Sequence, residues 1–162
     1  MKVYTLYREQ YLPISIEKAW DFFSSAKNLD KITPPEMGFS IISELGDEPV
    51  HSGMLIKYTV KPLWNIKMKW VTQIVDVSAP HSFTDRQIKG PYKLWEHTHH
   101  FHSVAGGVKM TDEVKYGLPL GWLGILAHSL VVKSKLEQIF DFRAVTLKNF
   151  FGQLNERGHV AG

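Results

Sequence analysis

The residues best suited to chemistry cluster between Gly90 and Pro119, in GPYKLWEHTHHFHSVAGGVKMTDEVKYGLP. Four histidines, His97, His99, His100 and His102, fall within six positions, and one aspartate, Asp112, follows in an otherwise apolar pattern. The glycine pair Gly106-Gly107 between two alternating runs marks a hairpin. Side chains two apart on a strand share a face. Trp95, His97, His99 and Phe101 therefore form one face of the first run, and Val108, Met110, Asp112, Val114, Tyr116 and Leu118 the matching face of the second. Lys109, Thr111, Glu113 and Lys115 are left to water. Pairing Val104 with Gly107 sets Phe101 opposite Met110, His99 opposite Asp112, His97 opposite Val114 and Trp95 opposite Tyr116. A slip of one residue would set apolar side chains against Glu113 and Lys115, so this register is selected.

A carboxylate among Val, Met and Tyr needs a partner, and His99 is the nearest candidate. A carboxylate that orients an imidazole raises its basicity, which suits general acid–base work, so His99 with Asp112 is the catalytic candidate if the protein is an enzyme. The same pair also reads as a buried, mutually satisfied couple. Two imidazoles on alternate strand positions can chelate a metal. The spacing brings no third ligand besides Asp112, so the expectation is no metal and no cofactor. No Ser or Thr is placed to complete a hydrolase triad. Arg143 interrupts the apolar stripe of a late helix; it either snorkels to water or meets an acid or a polar ligand head. Asp85 and Arg86 lie on opposite faces of one strand, and the pattern leaves open which points inward.

Around this hairpin the chain has 162 residues, 44% of them hydrophobic and 12% aromatic, enough for one domain with a real core. The net charge of +3 is dispersed and argues against nucleic acid. There are no cysteines, hence no disulfide and no thiol nucleophile. The apolar run from Leu118 to Val132 is broken by Pro119, Gly121, Gly124 and His128 and is too short to insert stably in a membrane. The expectation is a soluble, cytoplasmic protein.

In chain order, Val3–Leu12 reads as a strand. Ser15 caps a helix over residues 16–25 that buries Ile16, Trp20 and Phe23. Asn28 caps a second short helix, which Pro34-Pro35 stop. Strands follow over residues 39–45, 54–61 and 66–77, the last with a bulge near Val75, and over 81–89. After Pro119 the period changes: Leu136, Phe140, Arg143, Leu147, Phe151 and Leu154 mark a long helix, residues 122–155. A single domain over 1–155 and a flexible tail over 156–162 are expected. The class is α+β: a curved antiparallel sheet of about seven strands against a long C-terminal helix, with a cavity between them. Trp20, Tyr58, Met68, Trp70, Trp95, His97, His99, Phe101, Met110, Asp112, Tyr116 and Arg143 are the candidate ligand-binding residues.

These elements in this order resemble the helix-grip fold of the START and birch-pollen-allergen superfamily, SRPBCC. NLDKITPP at 28–35, GPYKLWEHTHHF at 90–101 and TDEVKYGLPLG at 111–121 carry the resemblance to its polyketide cyclase/dehydrase and lipid-transport branch. It covers nearly the whole chain. It implies a deep cavity holding a hydrophobic small molecule such as a lipid, quinone or polyketide, with cyclisation or dehydration catalysed in a minority of members. It also implies a possible short-chain dehydrogenase-like partner. Fold does not fix function. The leading expectation is therefore a non-catalytic binding or carrier protein.

Overall fold

The computed structural model describes residues 1–62 and 65–160. Its strands are β1 (Val3–Leu12), β2 (Ser40–Ile41), β3 (Leu55–Val60), β4 (Met68–Ser78), β5 (Ser82–Lys89), β6 (Leu94–Val104) and β7 (Gly107–Gly117). They form one curved antiparallel sheet in the order β1-β7-β6-β5-β4-β3-β2. Helix α1 (Ile16–Phe23) and two short 3-10 turns, Ala26–Ile32 and Pro35–Met37, connect β1 to β2. A C-terminal helical rod of 30 residues completes the fold. It consists of α2 (Trp122–Ala127), a π turn (His128–Val132) and α3 (Lys133–Phe151). No described helix is long and apolar enough to cross a membrane.

The hairpin has the register that its sequence dictates. Val104 faces Gly107, His99 faces Asp112 and Trp95 faces Tyr116. The tight turn is Ala105-Gly106, with Gly106 at φ +81°, a backbone conformation that glycine reaches without a Cβ clash. Thr111 departs from expectation and is buried. It lies between Glu9 and His100 on the two flanking strands, and its short side chain sinks between longer ones.

Helix α1 begins at Ser15, whose Oγ accepts from the Lys18 amide at 3.2 Å. Ile16, Trp20 and Phe23 are buried as their spacing requires, each burial contributing about 1.5–3 kcal/mol. The helix stops at Phe23 rather than Ser25, and Asn28 is not the cap of the next one: its Nδ2 donates back to the Phe22 carbonyl at 2.9 Å. The strand expected over 39–45 shrinks to Ser40–Ile41. Beyond it the amides of both Ile42 and Ser43 go to the Lys57 carbonyl, and Ser43 Oγ takes the Lys57 amide, so the ladder cannot continue. In β4 the register shifts between Val75 and Ser78, where a bulge was expected, and also between Val71 and Thr72.

The rod ends at Phe151 because Gly152 adopts φ +85°. Beyond it Leu154 is buried and pairs with Val160 in an isolated bridge; residues 161 and 162 of the expected flexible tail lie outside the described residues. Two apolar clusters lie under the sheet. One gathers Trp20, Phe23, Phe83, Phe101, Met110 and Leu147, and the other Trp70, Trp95, Val114, Tyr116, Leu136 and Phe140.

Candidate functional site

A cluster of charged groups is buried between those apolar clusters. β5 supplies Asp85, β6 supplies His97 and His99, β7 supplies Asp112, and α3 supplies Arg143. Strand alternation turns the first four inward, and the helical period brings Arg143 down on them. Phe83 stacks on His99 with ring centroids 4.4 Å apart; Phe140 lies edge-on to His97 at 5.5 Å. The Arg143 guanidinium sits over the rings of Phe23 and Phe140 at 5.4 and 5.8 Å.

Asp112 is the hub. Its Oδ1 accepts from His97 Nε2 at 2.8 Å and from Arg143 Nη2 at 3.2 Å, and lies 3.1 Å from His99 Nδ1. The shortest imidazole contact is thus to His97, not to its register partner His99. Burial would raise the Asp112 pKa, but the Arg143 charge and the bonds to both histidines hold it well below the usual carboxylate range. Burial, with the charge of His99 adding to it, pushes His97 below the ordinary imidazole value. It acts on His99 in the same sense, yet the neighbouring Asp112 and Asp85 carboxylates outweigh it and raise His99. For Asp85 burial is likewise outweighed, here by His99 and His97, and its pKa is lowered. The environment therefore separates two neighbouring imidazoles into a weaker and a stronger base.

Asp85, His97, His99 and Arg143 form part of the wall of a cavity of about 480 Å3 between the sheet and the rod. That volume lies within the roughly 300–1,000 Å3 typical of small-molecule pockets. The rest of the wall is mainly apolar and aromatic, including Tyr58, Trp70, Tyr92, Trp95, Leu136 and Phe140. Two of the lining residues, Trp70 and Arg143, also carry a buried donor, Nε1 and Nε respectively, with no hydrogen-bond partner among the described residues.

No protein-family model matches the chain. No curated protein matches it by sequence. Solved structures do match. The di-domain ARO/CYC protein BexL superposes with a TM-score of 0.70 at 13% identity, over 94% of this chain and 51% of that one. Ara h 8.0201 superposes with a TM-score of 0.55 at 16% identity, over 91% of this chain and 99% of that one. These matches show that the chain shares the helix-grip fold. A third helix-grip match lies within a nucleoside-diphosphate sugar epimerase from Corynebacterium glutamicum, with a TM-score of 0.62 at 21% identity, over 89% of this chain and 28% of that one.

Of the residues singled out in the sequence, Tyr58, Met68, Trp70, Trp95, His97, His99 and Arg143 line the helix-grip cavity. Trp20, Phe101 and Met110 do not. They pack with one another and with Phe83 in the solid core beneath α1. Asp112 stands behind the two histidines rather than on the wall. Tyr116 serves a separate purpose: its hydroxyl bonds His128 Nε2 at 2.9 Å, and His128 stacks on Tyr4 with centroids 3.4 Å apart. Arg143 does not snorkel to water; it is 7% exposed. Asp85, left open by its pattern, points inward, while Arg86 pairs outside with Glu96 at 2.8 Å. The register partner of Asp85 is His97 on β6, so the adjacency of those two acid–base groups was hidden in a strand pairing that no turn spacing announces.

Proposed function

We propose that the protein binds a hydrophobic small molecule bearing oxygen acceptors, of the lipid, quinone or polyketide kind, in the cavity between sheet and rod. One observation carries this reading: an apolar, aromatic-walled space of about 480 Å3 is lined by residues that include Trp70 and Arg143, each of which carries a buried N–H without a partner among the described residues. A buried donor left without a partner costs about 1–3 kcal/mol, and a ligand carbonyl or carboxylate would recover it. In this reading residues 1–155 act as one ligand-binding domain, and the protein works in the cytoplasm. Mass spectrometry of organic extracts from protein purified from its own host is the direct test. An apolar, oxygen-bearing compound at near one per chain is expected, with Trp70→Phe lowering its retention. Repeated recovery of nothing but solvent would refute the reading.

A second reading draws on the separated imidazole basicities. A cyclase or dehydratase would use His99, backed by Asp112, to move a proton at a carbon next to a ligand carbonyl. Here His99→Ala abolishes turnover and leaves ligand retention and melting temperature largely intact. A variant that merely unfolds marks the pair as structural. A third draws on the epimerase match, which covers only 28% of that longer chain. It takes the domain as a module serving a dehydrogenase-like partner, and recovery as an isolated monomer from its host would count against it.

A further inference from the structure

Three donor atoms converge where the cavity meets the charged cluster. Asp85, His97 and His99 each offer one ligand atom, and these lie within 4.8 Å of one another. Asp85 Oδ2 is 3.4 Å from His97 Nδ1 and 3.5 Å from His99 Nε2. Charge-assisted hydrogen bonds between such groups close to about 2.7–2.9 Å, so these spacings are long for direct bonding. They fit a different geometry. Bonds of about 2.0–2.1 Å around a tetrahedral ion set neighbouring donor atoms about 3.3–3.4 Å apart.

The proton inventory agrees. An ionised carboxylate only accepts, so His97 Nε2, 2.8 Å from Asp112, must donate to it. That leaves His97 Nδ1 on the side of the ring facing the Asp85 carboxylate, 3.4 Å away, where an ion could bond both. His99 repeats the pattern: its Nδ1 is 3.1 Å from Asp112, which leaves Nε2 towards Asp85. Arg143 Nη2 donates to Asp112 at 3.2 Å and to His99 Nδ1 at 3.3 Å, so an ion on His99 Nε2 requires Nδ1 to exchange its bond from Arg143 for one it donates to Asp112. A metal-bound imidazole characteristically gives its outer N–H to a carboxylate, which fixes the tautomer and the ring. Here one buried carboxylate stands behind two imidazoles.

We propose that Asp85, His97 and His99 form a binding site for one divalent first-row transition ion, with Asp112 as the shared acceptor behind both rings and the remaining coordination position open to the cavity. Two imidazoles and one carboxylate suit Zn2+ or Fe2+ and leave room for an exchangeable ligand. The charges define that ligand. Asp85 and Asp112 are negative, Arg143 is positive, and a divalent ion leaves the cluster with one positive charge in excess. An anionic oxygen, either hydroxide or a deprotonated oxygen of a cavity ligand, balances it. The site depends only on its own donors. An empty metal site therefore leaves the small-molecule reading standing, and a cavity that retains no organic compound leaves the metal site standing.

The test uses tag-free, chelator-stripped protein titrated with Co2+, then Zn2+, by calorimetry and visible absorption. One Co2+ per chain is expected, with the d–d bands of a low-coordinate nitrogen–oxygen site that Zn2+ erases. Asp85→Asn weakens binding by about 100-fold or more, and Asp112→Asn by about 10–100-fold, in variants whose circular dichroism is unchanged. His100→Gln/His102→Gln, on the outer face of β6, alters neither affinity nor spectrum. The proposal is overturned if the protein takes up no ion, if Asp85→Asn binds as tightly as the parent, or if the outer pair's removal abolishes binding. Should His97→Gln or His99→Gln fail to fold, Asp85→Asn decides the matter, because Asp85 is only partly buried.

Discussion

Replacing Asp112 by asparagine keeps the shape of the hub and removes its charge. The carboxylate is 2% exposed and serves His97, His99 and Arg143 at 2.8, 3.1 and 3.2 Å. The amide oxygen can still accept, but Arg143, itself 7% exposed, loses its counter-ion where water cannot replace it. Breaking a buried pair from one side costs about 3–5 kcal/mol. At about 2–4 °C per kcal/mol for a chain of this size, the melting temperature should fall by about 6–20 °C. Arg143→Met exposes the opposite imbalance and should cost a similar amount. The double variant strands neither charge, so its loss should be smaller than the sum of the singles by about 2 kcal/mol. Urea unfolding followed by tryptophan fluorescence, with chelator present throughout, measures all four corners of the cycle. Additive losses, or an Asp112→Asn variant within about 1 kcal/mol of the parent, would refute the claim that these two charges hold each other in the core.

Acid sensitivity should trace partly to His128. Burial, with Lys2 and Lys133 nearby, holds its pKa below the ordinary value, so the folded state favours the neutral ring. The unfolded chain protonates near about pH 6.5. The stability due to His128 is therefore present above that pH and is lost as pH falls towards the depressed folded value. His128→Phe should flatten the fall in unfolding free energy between pH 7.5 and 5, and parallel profiles would contradict this. A β-carbon on Gly107 would overlap the Leu12 carbonyl and crowd Leu154, so Gly107→Ala should destabilise by about 1–3 kcal/mol or more on thermal melting. Ile139→Trp, on the cavity wall, should abolish retention of the extracted compound while moving stability by less than about 1.5 kcal/mol; undiminished retention would mean the ligand sits elsewhere.

Period-two alternation and one tight turn were enough to bring His99 to Asp112, because a one-residue slip would have turned the whole apolar face outward. Ser15 and the spacing of Ile16, Trp20 and Phe23 were equally informative, since capping and burial act locally. What alternation cannot give is distance from the rod. Trp95 and Phe101 share a face of β6, yet Trp95 borders the cavity and Phe101 is sealed under Trp20. Asn28 had the right chemistry for a cap, but the tighter 3-10 turn left its amide to close α1 instead. Asp85 reached the site through pairing between β5 and β6. That register is set by the sheet as a whole, so scanning one hairpin for ligands missed the third donor.

The π turn at His128–Val132 has a consequence for the entire rod. Widening one turn slips the phase of everything upstream by about one residue, or roughly 100° around the axis. Downstream, Leu136, Phe140 and Arg143 keep step with the sheet; upstream, Trp122, Leu123 and Leu126 point into solvent. Removing a single residue from the widened turn would regear the amino-terminal third, swinging those side chains to a new bearing and carrying His128 away from Tyr116. One extra residue thus decides which greasy surface the molecule shows to its surroundings.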